Sequence, residues 1–79
     1  MDIIVPTKTI DCTGLYCPIP LFQTRSALEE LNIDEILEVI ADDPAAEEDI
    51  KRFIKRTKNI LLKLEKTADT LKFYIKKTG

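Results

Sequence analysis

The chain has 79 residues, of which 44% are hydrophobic and 33% are charged, and its formal net charge is −2. This length predicts a single domain over residues 1–79, since two halves would each be too short to bury a core, and the composition is too apolar for a disordered chain. The chain contains no histidine, which excludes the usual zinc site, the Cys-His nucleophile pair and the Ser-His-Asp triad. We therefore expect no metal and no cofactor, and any chemistry must come from thiols, carboxylates, amines or backbone groups.

The chain shows no targeting or membrane signal. Its first residues lack the basic region and the long apolar stretch of a secretory signal, and no apolar run is long enough to span a bilayer. These features predict a cytoplasmic protein that makes no membrane contact and whose two cysteines stay reduced.

Charge is distributed unevenly along the chain. Residues 1–50 carry 2 basic and 12 acidic side chains, whereas residues 51–79 carry 10 basic and 2 acidic ones. One interpretation is a basic face that binds RNA or an acidic partner. The other, which we favour, is a set of helix-end and strand-edge charges, because the basic residues alternate with apolar ones.

The apolar pattern predicts six elements in chain order. Leu21, Thr24, Leu28 and Leu31 share one helical stripe, and a second stripe contains Ala46, Ile50, Phe53, Ile54 and Thr57. Asp43 is the predicted N-cap of the second helix, with Pro44 at its first position. The last two strands alternate, with Ile60, Leu62 and Leu64 on one face, and a short connection over residues 66–69 makes them a hairpin. The predicted bounds are a strand over 7–12 that could begin at Ile3, a helix over 18–31, a strand over 35–42, a helix over 44–57, and the two hairpin strands.

This order of elements predicts the fold class. Two helices of this length can cover only one face of a four-stranded sheet. We therefore expect an α/β (α+β) two-layer sandwich of βαβαββ order, with a mixed sheet and both helices on one face.

The stretch from Asp11 to Pro20 joins the first strand to the first helix and contains the candidate site. Gly14, the only internal glycine, indicates a turn with positive φ or a close approach. Pro18 is expected to occupy the first helical position and to leave Cys17 as an extended N-cap residue, while Pro20 stiffens the same turn. The amides of the first helical turn would then favour a thiolate on Cys17 and lower its pKa. If the first two strands are parallel, Asp42 and Asp43 lie near Cys17, where a carboxylate that does not cap the second helix would oppose the thiolate.

Two segments resemble a known family. The run Gly14-Leu15-Tyr16-Cys17-Pro18-Ile19-Pro20 is similar to the signature of the TusA/SirA-like small sulfur carriers, and the run Ala41-Asp42-Asp43-Pro44-Ala45, followed by Asp49-Ile50, resembles that family's segment after its second strand. The resemblance extends over nearly the whole chain. It implies the βαβαββ fold and a sulfurtransferase-type carrier that bears a persulfide on the cysteine of the Cys-Pro-x-Pro motif, here Cys17.

The resemblance also implies partners and supporting residues. A carrier needs no general base of its own, because sulfur arrives by thiol exchange from a donor such as a cysteine desulfurase or a rhodanese-like protein. It then passes to an acceptor protein in tRNA thiolation, cofactor sulfuration or sulfur oxidation. The supporting residues are expected to be Gly14, Pro18, Pro20, Asp11 and Asp43, with Tyr16 and Ile19 flanking the thiol on the surface or packing in the core.

Three features depart from the family pattern. Asp34 stands where many members have glycine, and the pair Lys58-Asn59 replaces a common Gly-His pair. Cys12 is an additional thiol that could resolve a persulfide on Cys17.

Two other functions remain open at this stage. Cys12 and Cys17 could form a dithiol redox pair, provided that their Cα atoms lie within about 7 Å. The basic second half could instead bind RNA, although only two aromatic residues, Tyr16 and Tyr74, are expected to be exposed for base stacking.

Overall fold

The computed structural model describes residues 4–78 and contains six elements in the expected order. Four strands, β1, β2, β3 and β4, and two helices, α1 and α2, alternate along the chain as βαβαββ. Their bounds are β1 Lys8–Cys12, α1 Ile19–Glu30, β2 Ile36–Ala41, α2 Pro44–Thr57, β3 Ile60–Lys66 and β4 Leu71–Lys76. The predicted bounds hold to within one residue, and the alternative start at Ile3 lies outside the described residues.

The strands form one mixed sheet in the order β1-β2-β4-β3. β1 and β2 pair in parallel, with Ile10 opposite Val39, whereas β4 pairs antiparallel with both β2 and β3. The predicted fold class is thus confirmed, including the hairpin of β3 and β4. Because β1 and β2 are parallel, their carboxyl ends lie at the same edge of the sheet, where both connections into the helices begin.

The core lies between the sheet and the helices. β2 contributes Leu37, Val39 and Ala41, and β4 contributes Leu71, Phe73 and Ile75, because alternate residues of a strand point to the same face. The helices add Ala27 and Leu28 from α1, and Ala46, Ile50, Phe53 and Ile54 from α2. The predicted stripes are correct except for Leu21 and Thr57, which are only half-buried.

The predicted core face of β3 is wrong for Ile60 and Leu62 and correct for Leu64. Ile60 and Leu62 are 46% and 40% exposed, whereas Leu61 and Leu64 pack against the core. A register shift between Leu61 and Lys63 causes the difference, since a β-bulge inserts one residue and reverses the alternation on either side of it. A sequence pattern with strict alternation places Leu62 on the wrong face for this reason.

Asp34 and Lys58, two of the departures from the family pattern, adopt left-handed backbone conformations with φ of 74° and 64°. Glycine adopts such angles without a steric penalty, whereas another residue loses about 1–2 kcal/mol. Lys58 follows α2 as its C-cap, and its amide donates to the Lys55 carbonyl. The left-handed backbone conformation therefore explains why glycine is common at these two positions in the family pattern.

We expect Lys58→Gly to raise the free energy of unfolding by about 0.5–1 kcal/mol, the left-handed penalty less the extra chain entropy of glycine. Urea denaturation at 25 °C measures the change. Lys55→Gly, three residues earlier on the exposed face of α2, is the matched control and should lower stability by about 1 kcal/mol. Equal losses in both variants would contradict the conformational explanation.

Candidate functional site

The loop between β1 and α1 is shaped by carboxylates that bind its backbone. Asp11 Oδ1 accepts hydrogen bonds from the amide and the hydroxyl of Thr13, at 2.9 and 2.7 Å, and these bonds lower the pKa of Asp11. Gly14 has φ of +80°, and its amide donates to both carboxylate oxygens of Asp42, at 3.0 and 3.1 Å. An added Cβ at Gly14 would meet open space, so the glycine is required for its backbone angle and not for room.

Asp43 connects the thiol-bearing loop to α2. Its Oδ1 accepts the Ala45 amide at 3.1 Å, which is the predicted N-cap bond, and its Oδ2 accepts the Cys17 amide at 2.8 Å. Asp42 and Asp43 therefore lie beside the Cys17 loop, as expected from parallel β1 and β2. One of the two acidic residues caps α2, which the sequence also predicts.

The start of α1 differs from the sequence prediction. The helix begins at Ile19, and Pro18, after a cis Cys17–Pro18 peptide bond, is its N-cap residue. Cys17 lies one position further out, and the Ile19 amide donates to the Tyr16 carbonyl at 2.8 Å and not to the thiol. Pro20 is buried, and its carbonyl accepts the Thr24 hydroxyl at 2.8 Å. Both prolines thus belong to the first turn, but Cys17 is not the N-cap.

The Cys17 thiol is exposed, and its protonation is set by α2 instead of by α1. Its Sγ donates a hydrogen bond to Oδ2 of Asp49. The hydrogen bond and charge of Asp49, together with desolvation and the charge of Asp43, raise the pKa of Cys17 above its ordinary value. The prediction that the amides of α1 lower the pKa of Cys17 is therefore wrong. Carboxylates, and not helix amides, face the sulfur.

Sequence reasoning missed Asp49 as a site residue. In the sequence, Asp49 stood out only as part of the family resemblance. The available signal was its position just before buried Ile50, at the border of the apolar stripe of α2, on a helix that starts at the same sheet edge as the thiol loop.

The structure places the two cysteines in different environments. Cys12 is fully buried in the core, its Sγ lies 3.7 Å from Oε1 of Gln23, and burial raises its pKa. Cys17 is exposed, and both thiols are free. The burial of Cys12 disfavours the predicted role as a resolving thiol, because a thiol enclosed by the core reaches a surface sulfur only when the fold opens.

Exposed apolar side chains flank Cys17. Tyr16 is 75% exposed, Ile19 43% and Phe22 54%. Ile19 and Phe22 lie three residues apart and so share one face of α1. Of the two alternatives open for Tyr16 and Ile19, the structure shows the surface position, whereas Phe22 was wrongly expected to be buried. We call these three residues the apolar rim.

Half of the ten basic residues in the second half of the chain form ion pairs. Lys51 and Lys66 both contact Glu47, at 2.7 and 3.0 Å, and Lys63 and Lys76 pair with Glu65 and Asp34. The Tyr74 hydroxyl lies 2.7 Å from Glu38 and 3.2 Å from Glu65, and these carboxylates raise its pKa. This arrangement favours the structural interpretation of the charge asymmetry over an RNA-binding face.

No membrane span or metal centre is found in the part of the chain that the structure describes. Neither helix is long and apolar enough to cross a bilayer. Within residues 4–78, no three potential ligands among Cys, Asp and Glu are close enough to hold a metal ion.

The fold and the loop together define a small two-layer α+β domain with one exposed thiol at the carboxyl edge of its parallel strands. The profile of the family described as sulfurtransferase TusA matches residues 8–77, and the chain belongs to this family.

Relatives agree with this assignment. A protein of Archaeoglobus fulgidus, provisionally named a sulfur carrier, is 49% identical over 70 residues, which cover 87% of this chain and 91% of the relative. The sulfur carrier protein TusA of Allochromatium vinosum is 33% identical over 71 residues, covering 90% of this chain and 93% of the relative. A SirA-like protein of Desulfitobacterium hafniense has the same fold, with a TM-score of 0.80 at 24% identity, over 92% of this chain and 100% of its own.

Proposed function

We propose that this protein is a cytoplasmic sulfur carrier that accepts sulfane sulfur as a persulfide on Cys17 and relays it to an acceptor protein. The observation that carries the proposal is the placement of Cys17. Within the described residues it is the exposed thiol, and its loop is fixed to the sheet edge by the carboxylates of Asp42 and Asp43. Membership of the TusA family supports the same role.

The transfer steps exchange one sulfur atom between cysteines. Cys17 Sγ attacks the outer sulfur of the donor persulfide, the S–S bond of the donor breaks, and its electron pair leaves with the donor cysteine. An acceptor thiol then repeats this attack on the Cys17 persulfide. Neither step requires a metal, a cofactor or a histidine on this chain, since the partner enzymes supply the remaining groups.

The surface around Cys17 indicates the kind of partner that docks. The apolar rim offers Tyr16, Ile19 and Phe22 for burial, and in residues 4–78 neither Asp11 nor Asp42 has a lysine or arginine within salt-bridge distance. A partner with an apolar hollow edged by basic residues complements this surface. We propose that a cysteine desulfurase or rhodanese-like donor, and an acceptor of tRNA thiolation or cofactor sulfuration, both use it in turn.

Incubation with a persulfide donor is expected to add one sulfur atom, about 32 Da, to the wild-type protein, and Cys17→Ser is expected to abolish the addition, because thiolate chemistry requires this sulfur. Intact-protein mass spectrometry measures the adduct. Cys12→Ala is the matched control and should retain it, since Cys12 is enclosed by the core. An unmodified wild-type protein, or an undiminished adduct on Cys17→Ser, would refute the proposal.

A further inference from the structure

Asp49 is the charged group in direct contact with the reacting sulfur. The Cys17 thiol donates to its Oδ2, and the Asp49 side chain is 27% exposed. The other carboxylate oxygen, Oδ1, lies 3.9 Å from Nη1 of Arg52, at the outer limit of an ion pair. Arg52 is itself 77% exposed, so its charge is screened by water and leaves Asp49 largely uncompensated.

The groups that face Cys17 from the other elements are also acidic or neutral. From the junction of β2 and α2, Asp43 adds a second negative charge while it accepts the Cys17 amide. The first turn of α1, residues 19–22, carries no charged side chain. Among the described residues, the charges that act on Cys17 are therefore carboxylates, and each opposes negative charge on its sulfur.

We propose that Asp49 sets how tightly Cys17 holds sulfur, keeping the empty carrier as a neutral thiol and destabilising the loaded carrier so that it readily gives its sulfur away. This inference rests on the proposed function of Cys17. The effect of Asp49 is the opposite of that expected from a helix N-terminus. The terminus would stabilise a negative charge on the sulfur, whereas Asp49 destabilises it.

The charge balance of loading explains the effect. A persulfide is a stronger acid than the corresponding thiol, so at neutral pH the exchange is Cys17–SH + R–S–S⁻ ⇌ Cys17–S–S⁻ + R–SH. One S–S bond forms and one breaks, so no net oxidation occurs. Cys17 loses its proton and gains the sulfur atom, and the donor sulfur takes up a proton. The exchange moves a negative charge from the donor to a position about 2 Å beyond Cys17 Sγ. Asp49 stabilises the left side through its hydrogen bond and destabilises the right side through repulsion.

The first test is the pH dependence of Cys17 alkylation by iodoacetamide, followed by peptide mass spectrometry so that Cys12 does not interfere. In Asp49→Asn the midpoint of the rate profile should move to lower pH than in the wild type, since the hydrogen bond to a carboxylate is lost. At a fixed pH below both midpoints, Asp49→Asn should be alkylated about threefold faster than the wild type for each pH unit by which its midpoint is lower. The increase is less than tenfold because a thiolate of lower pKa is a weaker nucleophile. Glu48→Gln, the adjacent exposed carboxylate, is the matched control and should leave the midpoint unchanged.

The second test is the equilibrium occupancy of Cys17 with sulfur at a fixed ratio of glutathione persulfide to glutathione. Asp49→Asn should increase the exchange constant about fivefold, the effect of one unit charge about 4 Å away in water, and added salt should shrink the difference. Glu48→Gln should match the wild type. Occupancy and alkylation midpoint that are both unchanged in Asp49→Asn would overturn the role of Asp49 while the wild-type adduct still forms, whereas failure of the wild type to load would overturn the carrier function itself.

Discussion

Replacement of Phe73 by alanine is expected to lower the free energy of unfolding by about 3–5 kcal/mol. Phe73 is fully buried at the centre of β4, where it is opposite Val39 of β2 on one side and Leu64 of β3 on the other. Removal of its ring leaves a cavity in the core. A domain of this size has a total stability of about 4–12 kcal/mol, so the variant should be close to unfolding at 25 °C.

Urea denaturation followed by circular dichroism measures this loss. Phe22→Ala is the matched control: the same truncation, made on a side chain that is 54% exposed, should cost less than about 0.5 kcal/mol. If Phe73→Ala does not fold without denaturant, Ile75→Val, at another fully buried position of β4, should lower stability by about 0.5–1.5 kcal/mol. Equal stability of the Phe73 and Phe22 variants would contradict the assignment of the core.

Replacement of Asp43 by alanine is expected to cost about 2 kcal/mol and to loosen the thiol-bearing loop. The substitution removes the N-cap of α2, which contributes about 0.5–2 kcal/mol, and it also leaves the Cys17 amide without its acceptor. Each carboxylate oxygen serves one of these amides. Hydrogen exchange at the Cys17 amide reports the second contact independently of overall stability.

Asparagine at the same position separates the two contacts of Asp43. An amide side chain has one acceptor oxygen, so Asp43→Asn can retain the cap or the contact with Cys17 but not both. We expect about half the loss seen for alanine, with faster exchange at one of the Ala45 and Cys17 amides. Asp69→Ala, an exposed carboxylate in the β3–β4 connection, is the control and should be neutral. Wild-type stability and exchange in Asp43→Asn would contradict the dual role.

The fold was predictable from the sequence because its signals are local and repeated. The proline and acidic residues at the start of α2 gave its bounds correctly, and the alternation of Leu37, Val39 and Ala41 gave the core face of β2. Leu62 was misplaced because a β-bulge depends on how β3 pairs with β4 and leaves no mark in the apolar pattern.

The candidate site was predictable in position but not in its electrostatics. Gly14 and the prolines marked the loop, and parallel pairing of β1 with β2 implied that Asp42 and Asp43 lie nearby. The pKa of Cys17 depends on which charges reach the sulfur in three dimensions, and Asp49 comes from a helix 32 residues away in the chain. A rule based on the adjacent helix terminus could not detect this contact.

The most direct measurement of the relay is a single-turnover transfer from the loaded carrier. Carrier that bears one sulfur on Cys17 is separated from its donor, mixed with an acceptor thiol protein, and followed by intact-protein mass spectrometry of both partners. The expected result is loss of about 32 Da from the carrier with an equal gain on the acceptor, in equal molar amounts. Retention of the sulfur on the carrier, or its release as free sulfide with no gain on the acceptor, would contradict the function proposed for Cys17.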